Sequence, residues 1–274
     1  MAESLIVSPQ RTTDTDAGRL VITPESAGWE YVGFERVLLK PGERLDRPTG
    51  DNEICLVLLA GKADVATEHA TWPNIGSRMN VFEQTPPYSV YVPPQDEFGV
   101  TALTELQLAI CSAPGKGSFP ARVIAPEHVG VETRGTGSME RFIHNILPEQ
   151  AEAESLLVVE VFTPGGHWSS YPPHKHDRDA LPDESLLEET YYYQINPPHG
   201  FAVQRVYTDD ESLNETLVVK HDQAVLVPRG YHPVSAPPGY DAYYLNVMAG
   251  PRRTWKFHVE TQHEWLMPKP RRMD

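Results

Sequence analysis

The sequence is poor in cysteine, in positive charge and in long apolar runs. Cys55 and Cys111 are the only two cysteines among 274 residues. Two are too few for a disulfide framework or a thiolate zinc site, and a reduced, cytoplasmic protein is the expectation. No apolar run approaches the roughly 20 residues of a membrane span, which excludes an integral helical membrane protein. The opening MAESLIVSPQ lacks a basic stretch followed by an apolar one, so no secretory signal is expected. Lys and Arg number 23 against 38 Asp and Glu, a formal charge of −15. Nucleic acid needs a basic face, and the basic clusters here are short: Arg252-Arg253 and the tail Lys269 to Arg272. Nucleic acid and membrane are therefore excluded as partners. The same acidic field repels an anionic substrate, which would have to be met by a few local Arg or Lys side chains. Segments with a clean helical period are missing too.

What the chain does have is short β-rich runs set off by proline. The 26 prolines include the pairs 86–87, 93–94, 172–173, 197–198 and 237–238, which interrupt helices and sit in turns and at strand ends. Between them lie runs such as EICLVLL (53–59), LLVVEVF (156–162), TYYYQI (190–195) and FAVQRVY (201–207). They are rich in Val, Ile, Tyr and Phe and bounded by turn residues. An all-β barrel or sandwich follows, and with 40% hydrophobic residues the chain can bury a real core. The order of features also repeats. PGERLDRPTGDNEICLVLLAG near residue 41 and PGGHWSSYPPHKHDRDALPDESLLEETYYYQI near residue 164 each run from turn through polar loop to buried strand. At an offset of roughly 120–135 residues this predicts two similar β domains. We place them at residues 1–125 and 126–274, with a linker near Ala113 to Val131.

Four side chains in the second half stand out: His174, His176, Glu189 and His232. On an extended strand, residues two apart point to the same side, so His174 and His176 can offer two imidazoles to one point. Imidazole suits Zn, Fe, Mn, Co or Ni, and a carboxylate moves the preference toward harder divalent ions. Three His and one Glu leave open positions for water or substrate, as a catalytic metal requires. The other reading of the His pair is two solvated histidines in a proline-rich loop.

The order Gly-x(n)-His-x-His-x(n)-Glu, then Pro-x-Gly-x(n)-His, resembles the two cupin motifs. PPHKHD (172–177), ESLLEETYYYQINPPHGFAVQRVYTDD (184–210) and VLVPRGYHPVSAPPGYDAYYLNVMAG (225–250) resemble the 5-deoxy-glucuronate isomerases of myo-inositol catabolism. That family is a bicupin one, related to the ketol-isomerases of 4-deoxy-5-ketouronate. The resemblance implies two tandem cupin barrels, the first without metal. It implies one divalent metal ion on His174, His176, Glu189 and His232, zinc by default with Mn, Fe, Co or Ni open. The 12 residues between His176 and Glu189 exceed the usual cupin spacing. Asp177 to Glu188 therefore reads as an inserted loop over the site, and Glu188 is the alternative carboxylate. In the first half, Asp46, Arg47 and Pro48 stand where paired histidines would be.

The implied reaction turns 5-deoxy-glucuronate into 5-dehydro-2-deoxy-gluconate through an enediol. It needs an electrophile for the enediolate charge, a base near the reacting C–H and a cationic clamp on the carboxylate. Glu189, Arg205, Tyr191 and Tyr231 are the candidate catalytic residues. Arg205 is the favoured clamp, with Lys175, Arg178 and Arg252 as other substrate-binding candidates. Glu188, Tyr191, Tyr193, Tyr231 or a metal-bound hydroxide could supply the base. Among the remaining histidines, His144 is expected at the core or the domain junction, and His167 beside the motif strand. The expected partner is a sugar acid, and a homo-oligomer is expected from exposed strand edges. Other readings are isomerisation of a related deoxy-ketouronate, a non-catalytic sugar-acid-binding module, and an iron-dependent dioxygenase.

Overall fold

The structure, a computed structural model, describes residues 4–10 and 18–267. The basic tail Lys269 to Arg272 lies outside them. No helix among the described residues is long and apolar enough to cross a membrane.

The strand Asn52–Ala60 shows how the molecule is layered. Its apolar run is continuous because both faces are buried. Ile54, Leu56 and Leu58 enter one core with Val90, Phe98, Val100 and Leu108. Cys55, Val57 and Leu59 enter a different one with Val158, Phe162, Tyr192, Tyr243 and Leu245 from the second half of the chain. Two large antiparallel sheets thus pack back to back, and each carries a smaller sheet on its outer side.

In the first half the six-stranded sheet runs Arg122–Ile124, Ser89–Val92, Asn52–Ala60, Leu106–Pro114, Gly33–Leu39, Leu20–Ile22. It is covered by Arg44–Pro48, Glu97–Ala102, Ala63–Thr67 and Thr71–Ile75. In the second half the seven-stranded sheet runs Ile6–Val7, Ala224–Val227, Glu188–Asn196, Asp241–Ala249, Leu157–Thr163, Arg141–Leu147, Gly130–Arg134. It is covered by Trp168–Ser169, Val234–Ser235, Phe201–Tyr207 and Asn214–Lys220.

Two details differ from the sequence reading. Ile6–Val7 pairs with Ala224–Val227, so the start of the described chain is stitched into the second sandwich rather than the first. The segment expected as a linker holds a strand, Arg122–Ile124, that pairs with Ser89–Val92. The missed outer strand Arg44–Pro48 is polar. It is nowhere fully buried, so no apolar alternation marks it.

The junction between the sandwiches also holds charge. Arg78 reaches from the first half to Glu160 in the second, with Nη1–Oε1 at 2.7 Å and Nη2–Oε2 at 2.8 Å. His144 Nδ1 lies 2.7 Å from the same carboxylate, and the Tyr243 hydroxyl donates to it at 2.9 Å. His144 is thus at the junction, one of the two places expected for it.

Candidate active site

The large sheet of the second sandwich does two jobs because a strand has two faces. On Arg141–Leu147 and Leu157–Thr163, residues Phe142, His144, Glu160 and Phe162 face the first half, the apolar ones in the shared core. The alternate residues Arg141, Ile143, Asn145, Val159 and Val161 line a cavity of about 690 Å³. The same rule divides Glu188–Asn196. Glu189 and Tyr191 line the cavity, while the Glu188 carboxylate accepts the backbone N–H groups of Glu30, Tyr31 and Val32 at 2.7, 2.8 and 2.9 Å. Of the two neighbouring acids, the structure brings Glu189 to the histidines and uses Glu188 to tie the halves together. The far wall is the chain's return after Asp241–Ala249, through Trp255, Phe257 and Val259. There His258–Val259 pairs with His174–Lys175.

His176, Glu189 and His232, three of the four residues singled out in the sequence, come together: one ligand atom from each lies within 4.8 Å of the others. All three residues are buried. His176 Nε2 is 3.1 Å and His232 Nε2 is 3.2 Å from Glu189 Oε2. His174 lies outside this trio but beside it, its ring centroid 5.2 Å from that of His232. The backbone fixes all three rings. Nδ1 of His174 meets the Pro172 carbonyl at 3.1 Å, that of His176 the Leu187 carbonyl at 3.2 Å, and that of His232 the Gly230 carbonyl at 2.8 Å. A carbonyl only accepts, so each Nδ1 carries a hydrogen and each Nε2 is left to bind a proton or a metal ion. Such outer contacts orient metal-binding imidazoles. Buried His232 Nε2 has no hydrogen-bond partner, being out of line with Glu189. Burial, reinforced by neighbouring His176, pushes His174 down to about 3. Burial also takes His232 down to about 3 despite Glu189. Burial lowers His176 as well, but the hydrogen bond and charge of Glu189 outweigh it and move this group up. The site thus favours one positive charge at the point where the donors converge, whether a proton or a metal ion.

Tyr191 lies in the cavity, its hydroxyl 2.9 Å from Ser170 Oγ. The structure does not bring the other expected residues there. Tyr231 donates its hydroxyl to Asp209 at 2.8 Å, outside the cavity lining. Tyr193 donates to Gln204 at 2.9 Å. Lys175 alternates with the two histidines and is therefore on the opposite side. It is 3% exposed, and its Nζ meets Asp177 at 2.7 Å and Glu184 at 3.0 Å. Arg178 is exposed and bound to Glu184 at 2.7 Å. Arg252 is exposed near Asp179 at 3.5 Å. Arg205 lies in a separate, smaller hollow, stacked over Tyr207 at 3.8 Å with Nε donating to Asn214 at 3.1 Å. The inserted segment is not a cover over the site. Asp177–Ala180 and Glu184–Leu186 make a hairpin that is braced by Lys175 and contributes nothing to the cavity lining.

Sequence reasoning missed Arg134, Arg141, Tyr244, Asn246 and Trp255, all in the lining. The signal for Arg141 was present in RFIHNIL, where a period of two puts Arg141, Ile143 and Asn145 on one face. Which face meets the cavity depends on the sheet partner, and that is not local information.

The family model described as KduI/IolB family matches residues 5–266. A 5-deoxy-glucuronate isomerase of Geobacillus thermodenitrificans is 68% identical over 246 residues, 90% of each chain. One of Geobacillus kaustophilus is 61% identical over 264 residues, 96% of each chain. Among solved structures, an IolB-like protein of Salmonella typhimurium has a TM-score of 0.93 at 51% identity, covering 96% of this chain and 99% of that one. An oxalate decarboxylase of Lactobacillus farciminis has a TM-score of 0.68 at 11% identity, covering 98% and 92%, which is a likeness of fold alone.

Proposed function

The chain belongs to the KduI/IolB family, and on that premise we propose that the cavity of the second sandwich is the active site of a divalent-metal-dependent aldose–ketose isomerase. The fold is a bicupin. The reaction is the conversion of 5-deoxy-glucuronate to 5-dehydro-2-deoxy-gluconate in myo-inositol catabolism. One proton moves from C2 to C1 and one from the C2 hydroxyl to the former aldehyde oxygen, by way of an enediol. No atom is lost and no oxidant is needed.

The observation that carries the metal reading is the set of three imidazoles with Nδ1 held by backbone carbonyls, the Nε2 atoms of His176 and His232 meeting Glu189. His176, Glu189 and His232, with His174 alongside, would hold the ion, zinc by default with Mn, Fe, Co or Ni open. A bound divalent ion supplies a Lewis acid for the charge that develops on the sugar oxygens. The protein's own groups do the rest. Burial, above all, pushes the Tyr191 hydroxyl well up and Tyr244 up as well. Both therefore stay protonated at neutral pH, and both reach Ser170 Oγ, at 2.9 and 3.3 Å. They serve as hydrogen-bond donors to the sugar, and Glu189 is the carboxylate at the reacting end. Val159, Val161, Trp255 and Phe257 keep water from the enediol. The first sandwich serves packing and assembly. A cytoplasmic homo-oligomer completes the reading, supported by the sheet edge at Gly130–Arg134, where Val131 is 63% exposed.

The test is a coupled one. Protein purified without added metal is assayed for bound ions, then mixed anaerobically with 5-deoxy-glucuronate in D₂O and followed by NMR. Conversion that is lost on chelation and restored by a divalent ion, with deuterium at the new CH₂OH carbon, is expected. Turnover that survives full chelation would sink the metal assignment. A stoichiometric metal without conversion would point to the related ketouronate, then to oxygen-dependent chemistry. Neither metal nor conversion would leave a sugar-acid-binding module.

A further inference from the structure

We infer that Arg141 grips the carboxylate of the sugar-acid substrate and sets its direction in the cavity. The inference rests on the isomerase reading above and adds to it the residue that selects an acid over a neutral sugar. A uronate brings a full negative charge into a protein of charge −15, so one local cation must be free to receive it. Most cations proposed from sequence are already committed elsewhere. Lys175 is held by Asp177 and Glu184, Arg178 by Glu184, and Arg205 is stacked on Tyr207 in another hollow. Among the described residues, Arg134 and Arg141 are the only Arg or Lys in the cavity lining. Arg134 is neutralised by Glu132 at 2.6 Å and lies over the Trp255 ring at 5.6 Å.

Arg141 differs from all of these. The one hydrogen bond of its side chain among the described residues is from Nη1 to the Met139 carbonyl at 3.0 Å, and no carboxylate there lies within ion-pair distance. The remaining guanidinium N–H groups form the planar fork that fits a carboxylate with two parallel bonds. Burial, with neighbouring Arg134, pushes this guanidinium down, and the charges of Tyr244 and Glu132 only partly oppose it. A partly desolvated cation without a counter-ion is costly, and an arriving carboxylate relieves that cost. Arg141 lines the same cavity as His174 and Glu189, so the cation and the ligand cluster share one space. A six-carbon acid held by its carboxylate at Arg141 is directed with its aldehyde end toward Glu189.

The experiment uses the full metal-loaded chain and the variants Arg141→Met, Arg141→Lys and Arg205→Met. KM and kcat are measured on 5-deoxy-glucuronate. Binding of that acid and of its neutral counterpart 5-deoxy-glucose is measured by calorimetry on chelated, non-reacting protein. Arg141→Met is expected to weaken acid binding and raise KM by about 10- to 100-fold, with a smaller fall in kcat. Its binding of the neutral sugar should match that of the wild type. Arg141→Lys should recover part of the loss, and Arg205→Met should behave as wild type. Acid binding unchanged in Arg141→Met overturns the assignment, as does an equal loss for both sugars, which would mark a structural residue. Should Arg141→Met fail to fold, Arg141→Lys decides, and wild-type acid affinity in it overturns the clamp. A wild type that neither binds nor converts the acid removes the isomerase reading and the clamp with it. A wild type that converts the acid, beside an unaffected Arg141→Met, removes the clamp alone.

Discussion

Glu188 and Glu189 are adjacent, chemically identical, and put to opposite uses by the period of a strand. Glu189 faces the histidines and Glu188 accepts three backbone N–H groups from Glu30 to Val32. Glu189→Gln is expected to strip the metal and lower kcat by about 100-fold or more, with the fold intact. Glu188→Gln is expected to keep metal and turnover but lose about 1 kcal/mol of stability, because partly buried donors lose a charged acceptor. Metal analysis and urea unfolding of the two proteins separate the outcomes, and equal metal loss in both would contradict the division. The proposed ligands could be singled out in the sequence because His-x-His on a strand is a local pattern. The cationic lining could not be. Arg205 and Arg141 are each a lone Arg in a β-rich run, and only the packing of one sheet on another shows which opens into the cavity.

Between elements, the site depends on a wall that the sequence motifs do not announce. His174–Lys175 is a two-residue strand whose partner is His258–Val259, far along the chain, and the Phe257 ring lies 4.7 Å from the His174 ring. Phe257→Ala is expected to loosen His174 and lower metal affinity by about 10- to 100-fold, the range for groups that orient a ligand. Competition with a chelator measures it, and wild-type affinity would show that the carbonyl of Pro172 suffices. The buried strands of the fold were visible as apolar runs bounded by proline and glycine. Two outer strands, Arg44–Pro48 and Thr71–Ile75, were not, because their side chains are largely solvated and pairing, not patterning, makes them strands.

Across the whole molecule, the two sandwiches are joined by an apolar layer with a fully buried ion pair inside it. Burial alone would raise the Glu160 carboxyl, but Arg78 first, and His144 with it, hold it down to about 2, against an ordinary value of 4.5. A carboxyl depressed in the folded state contributes stability that is fully present above its unfolded value and is lost as pH falls through its folded one. The window is therefore pH 4.5 down to about 2, and the contribution is on the order of a few kcal/mol. Glu160→Gln leaves Arg78 buried and unpaired, which at neutral pH should cost about 3–5 kcal/mol. Because protonation does to the wild type what the substitution does to the variant, the difference between them should shrink from pH 6 to pH 3. Urea unfolding followed by tryptophan fluorescence at several pH values tests this. A difference that stays constant across that range would mean that Glu160 does not hold the sandwiches together through its charge.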